Sequence, residues 1–70
     1  MSASKRIKQI MIEHDINVKN LTEKLDFVSS PQALSNKLYK DNFSFSDVEQ
    51  IANALDCDVK IVDRETGKEF

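Results

Sequence analysis

The sequence predicts a mainly α-helical fold, four short helices followed by a C-terminal β-strand or short hairpin. Three observations carry this. Apolar residues recur at helical intervals through most of the chain. Two segments open with strong helix-start signals, Ser30-Pro31 and Ser44-Phe45-Ser46-Asp47. From Val59 the pattern changes to β-branched alternation. The chain has 70 residues, which makes one small domain, 1–70. A domain of this size buries only about 60% of the surface its unfolded form exposes, so a deep catalytic cleft is not expected. Stability must come from one compact core, a partner subunit, or both.

The first helix is expected over about residues 4–14, where Ile7, Ile10, Met11 and His14 stand at i, i+3, i+4 and i+7. Ile12 and Lys8 fall outside that stripe, and His14 completes it at the helix end. Asn17 is placed to cap a second helix over about 17–25, with Val18, Leu21 and Leu25 inward. Asp26 to Ser29 then read as a turn in which Phe27 and Val28 plug the core. Ser30 caps a third helix over 31–40, and Pro31 suits its first position, where no N–H is needed. Asp41-Asn42-Phe43 forms a loop with Phe43 as a core anchor.

The fourth helix is expected over about 45–55, with Phe45, Val48, Ile51, Ala52 and Leu55 on one face. Ser44 and Asp47 have the spacing of a capping box. Val59-Lys60-Ile61-Val62-Asp63 reads as a strand, and Gly67, the single glycine, sits where a tight turn needs positive φ. Residues 68–70 are then a possible return strand, although a two-stranded hairpin is marginal alone.

Composition excludes several classes of function. Hydrophobic content of 40% with 31% charged residues is that of a folded soluble domain. No apolar run approaches a membrane span, and the start of the chain lacks a signal-peptide stretch, so a cytoplasmic protein without membrane partners is expected. The lone Cys57 allows no intramolecular disulfide, and a buried small hydrophobe is its expected role. One His and one Cys far apart make neither a nucleophile–base pair nor a metal cluster, so no enzyme, cofactor or metal is expected. Net charge is −2, unlike the strongly basic domains that often bind DNA. Residues 1–40, however, hold seven Lys/Arg against four Asp/Glu, while residues 41–70 hold three against eight. Such asymmetry suits a molecule with one face toward an anion and the other turned from it.

The third helix carries the sharpest functional signal. Leu34 and Leu38, one turn apart, can hold it down, which leaves Gln32, Ser35, Asn36 and Tyr39 outward. A solvated face ordinarily carries Glu and Lys. Gln and Asn instead pair a donor with an acceptor, as bidentate reading of an adenine edge requires.

With its neighbours, this segment resembles the lambda-repressor-like helix-turn-helix family, the Cro, phage-repressor and XRE-type proteins. Residues 16–25 resemble the positioning helix and Ser30 to Leu38 the recognition helix, with Ser-Pro-Gln-Ala-Leu-Ser-Asn-Lys-Leu the most specific run. Asn42-Phe43-Ser44 and residues 51–57 look like the closing helix, so the resemblance spans about 5–62. The chain departs from the pattern in four places. Five residues separate Leu25 from Pro31, and Asp26, able to visit the left-handed region, replaces the common turn glycine. Thr22 stands where a smaller residue is usual, and Val18 where Gln is frequent. A loosened turn is the expected consequence.

The resemblance implies a small transcriptional regulator, a repressor type, that binds double-stranded DNA as a homodimer, with helix three in the major groove. Gln32, Asn36 and, secondarily, Ser35 are the implied base readers; Asn17, Lys19, Ser30, Tyr39 and Lys40 are the implied phosphate contacts. Edge pairing through Val59, Ile61 and Val62 is the most economical dimer contact. No small-molecule ligand is expected, because the chain leaves no room for a separate ligand domain. The alternative is a protein-interaction module that keeps the scaffold without binding DNA and pairs through its C-terminal strand, a reading that the net acidity and the enlarged turn favour.

Overall fold

The computed structural model describes residues 2–70 and contains four α-helices: α1 (Ala3–Glu13), α2 (Val18–Glu23), α3 (Pro31–Lys40) and α4 (Phe45–Ala54). Each begins at a polar side chain that takes up an orphan N–H of the first turn. Ser2 accepts from Lys5, Asn17 from Asn20, Ser30 from Ala33 and Ser44 from Asp47. At α4 the Asp47 carboxylate also accepts from the Ser44 N–H at 3.0 Å, which completes a capping box.

Three of these helices end on aspartates in place of glycines. Asp15, Asp41 and Asp56 have φ of 53°, 54° and 60° and follow the last turns of α1, α3 and α4. Asp is among the few residues that tolerate this left-handed conformation, which glycine ordinarily supplies. Asp26 has no positive φ, so the left-handed turn residue expected there is absent.

One core unites the helices. Ile7 and Met11 of α1, Leu21 of α2, Leu34 and Leu38 of α3, and Ile51 of α4 are buried together with Leu25, Val28 and Leu55. Phe27, Phe43 and Cys57 pack on it half-buried. α3 packs against α2 and α1, and α1 packs against α4. Thr22 is buried; its hydroxyl donates to the Val18 carbonyl at 2.8 Å, so the bulkier residue satisfies itself within α2.

Three expectations about the core and tail need correction. His14 is exposed and caps α1 rather than joining its apolar face. Phe45 is 57% exposed: it stands at the first position of α4, and Phe43 packs on the core instead. The expected strand over 59–63 and return strand over 68–70 do not form among the described residues. The tail makes only an isolated antiparallel bridge between Val62 and Glu69. Every residue from Asp58 onward is exposed, so no core face holds a ribbon flat, and a lone pair of strands is marginal in water. The bridge closes a turn in which Gly67 takes φ 73° and donates to the Asp63 carbonyl at 2.9 Å.

Candidate nucleic-acid interface

α3 divides sharply by exposure. Leu34 and Leu38 are buried, Ala33 and Lys37 are intermediate, and Gln32, Ser35, Asn36, Tyr39 and Lys40 are exposed. Gln32 and Asn36 lie one turn apart, as do Ser35 and Tyr39, so the four side chains share one outer surface. Tyr39 is 88% exposed.

The caps set where this surface begins. Ser30 Oγ accepts from the Ala33 N–H at 3.1 Å, and its O–H has no acceptor among the described residues. Asn17 Oδ1 accepts from the Asn20 N–H at 2.8 Å, and its amide N–H groups likewise have no acceptor among the described residues. Lys19 is exposed in the first turn of α2.

The sequence pattern of the Cro/C1-type HTH DNA-binding domain matches residues 6–60, which takes in most of α1 and all of α2, α3 and α4. The chain belongs to this family. No curated protein and no solved structure gives a significant match. Membership makes the protein a helix-turn-helix domain of the DNA-binding kind. No helix among the described residues is long and apolar enough to cross a membrane.

In this Cro/C1-type domain the long link between α2 and α3 is braced rather than loosened. The Asp26 N–H donates to Gln50 Oε1 of α4 at 2.9 Å, Val28 is buried, and the Phe27 ring receives the Lys37 ammonium at 5.7 Å. Lys37 Nζ also donates to the Asn42 carbonyl at 3.4 Å and pairs with Asp47 at 3.9 Å. Sequence reasoning missed Gln50, Lys37 and Asp41 because their partners lie 24, 10 and 37 residues away. For Asp41 a signal was available: aspartate recurs just past three helix ends.

The acidic second half is not a uniform charged face. Asp47 is engaged in the α4 cap and with Lys37, and Asp63 accepts from the Glu65 and Thr66 N–H groups. Those bonds, the Thr66 one foremost, hold the Asp63 carboxyl below the ordinary aspartate range. Val59, Ile61 and Val62 lie on the exposed tail, with Ile61 at 58% and Val62 at 51%. The Phe70 N–H donates to Ile61 O and the Asp63 N–H donates to Lys68 O, so the backbone of Ile61 and Asp63 faces residues 68–70. Val62 is then in a non-hydrogen-bonded pair with Glu69 and turns its own N–H and C=O to the other side.

Proposed function

We propose that this domain is a transcriptional regulator that reads a specific double-stranded DNA sequence, with α3 in the major groove. The observation that carries the reading is the outer face of α3, where Gln32, Ser35 and Asn36 are exposed while Leu34 and Leu38 anchor the opposite side. Gln32 and Asn36 are the base readers, each able to give one donor and one acceptor to an adenine edge, and Ser35 adds a third contact. Asn17, Lys19, Ser30, Tyr39 and Lys40 hold phosphates on either side and fix the register. The protein acts as a homodimer that pairs along the free backbone edge at Val62, flanked by Val59 and Ile61. Two recognition helices then fall on half-sites about one helical turn apart.

Selection of duplexes from a random pool tests this directly. A palindromic consensus with adenines under the recognition helix is the expected result. Unselective binding at all salt concentrations would remove the specific reading. The interaction-module alternative draws on the exposed apolar tail, Ile61, Val62 and Phe70. Failure to bind mixed duplex DNA even at low salt would favour it, since phosphate neutralisation is strongest there.

A further inference from the structure

We propose that Lys37 is a positioning residue of the recognition helix, which locks α3 to the enlarged turn and to the start of α4 rather than touching DNA. The consequence for DNA rests on the function proposed above; the positioning itself does not. Lysines near a DNA-reading surface are ordinarily assigned to phosphates, and Lys40, exposed three residues on, fits that use. Lys37 does not. Its side chain is 30% exposed and its Asp47 partner 20%. The ammonium sits among three segments: the Phe27 ring of the turn at 5.7 Å, the Asn42 carbonyl beyond α3 at 3.4 Å, and the Asp47 carboxylate of the α4 cap at 3.9 Å.

The packing gives this cluster its leverage. α3 packs chiefly on α2 and α1 and α4 on α1, within one shared core. Lys37 supplies a direct tie between α3 and α4, and it does so through the oxygen of Asp47 that also accepts the Ser44 N–H. The same ammonium covers Phe27, the aromatic residue of the long turn. Gln32 lies five residues before Lys37, about 7.5 Å along the axis. A tilt of roughly 10° about the tie therefore moves its amide by about an ångström, enough to spoil a bidentate contact. The individual contacts are weak, and their effect is directional: they choose one helix angle among several that the core tolerates.

The test compares Lys37→Met, Lys37→Arg and Asp47→Asn in the whole chain. Asp47→Asn keeps an acceptor for the Ser44 N–H and removes only the charge. Residual dipolar couplings of the free proteins report the angle of α3 against α1 and α4. Lys37→Met and Asp47→Asn should each rotate α3, the double variant should rotate it no further, and Lys37→Arg should restore the wild-type couplings. Unchanged α3 couplings in Lys37→Met would overturn the proposal, even if melting temperature falls. Titrations use mixed-sequence duplex and the duplex recovered by selection, each at two salt concentrations. The preference for the selected duplex should fall about three- to tenfold in Lys37→Met, with the salt slope unchanged. A uniform loss with the slope reduced by about one would make Lys37 a phosphate contact and overturn the proposal as well. If the wild-type protein bound neither duplex, the DNA reading would fail and the couplings alone would decide Lys37.

Discussion

Asp41 Oδ1 accepts a hydrogen bond from the Ser4 N–H at 2.8 Å, so the residue that ends α3 also caps α1 across 37 positions of chain. Asp41 is left-handed, with φ 54°, and that conformation closes α3 while its carboxylate reaches α1. The orphan N–H groups of α1 are thus shared between Ser2, which takes Lys5, and Asp41, which takes Ser4.

This double role separates Asp41 from Asp56, which has the same backbone conformation but no side-chain hydrogen bond to another helix among the described residues. Asp56→Gly relieves left-handed strain and should stabilise by about 0.5 kcal/mol. Asp41→Gly relieves the same strain but leaves the Ser4 N–H unpaired, so it should destabilise by about 1 kcal/mol. Asp41→Asn keeps an acceptor and should lie between them. Ser4→Ala is the control: Ser4 is buried and its hydroxyl has no partner among the described residues, so its loss should cost nothing or stabilise slightly. Urea midpoints of the four variants check the order. The same sign for Asp41→Gly and Asp56→Gly would refute the account.

Base and phosphate contacts leave different signatures in salt. Gln32→Ala and Asn36→Ala should each lose about 1–3 kcal/mol on the selected duplex, change little on mixed DNA and keep the salt slope. Lys40→Ala should weaken binding to both and reduce the slope by about one. Equal loss on both duplexes for Gln32→Ala would remove it from the reading set. The acidic half is tested similarly. Glu49 and Asp58 are exposed, and their neutralisation should raise non-specific binding more than specific binding. Asp47 is unsuited to this test because its charge also serves the α4 cap and Lys37.

The tail turn should be sensitive to acid. The Asp63 carboxylate accepts from the Thr66 N–H at 3.1 Å and the Glu65 N–H at 2.8 Å, and these bonds lower its pKa. A folded value below the unfolded one means the stabilisation is present above the ordinary aspartate range and is lost as pH falls through the lowered value. Amide protection at Glu65, Thr66 and Gly67 should therefore decay only in that acidic window, and Asp63→Asn should remove the pH dependence. NMR titration of Asp63 against these amides measures both. Opening of the turn near neutral pH would contradict it.

What the sequence made legible follows the range of the interactions. Caps are local, and Asn17, Ser30, Ser44 and Asp47 could each be read from a few neighbouring residues. Buried Leu21, Leu34 and Ile51 followed from helical spacing. Phe45 shared that spacing and is exposed, because periodicity assigns a face and cannot say where the core ends. The strand over 59–63 had the right residues but no sheet to join. Lys37, Asp41 and Gln50 escaped because each acts on a distant segment. The outer face of α3 was legible for the opposite reason: its side chains need no partner within the chain.

The exposed tail gives the dimer its most direct test. Val62 presents a free backbone N–H and C=O on the side away from residues 68–70, and Val59, Ile61 and Val62 are exposed apolar residues around that edge. Pairing with the same segment of a second copy would satisfy those groups and supply the ladder the isolated bridge lacks. Val62→Pro removes the outward N–H, and Ile61→Lys places a charge at the contact. Both should shift sedimentation from dimer to monomer. DNA affinity should fall with them, because a monomer engages one half-site and loses the effective concentration that links the two. Helical content should be unchanged, since the tail lies outside the core. A variant that stays dimeric, or a monomeric one with full affinity for a palindrome, would exclude this edge as the interface that binds DNA.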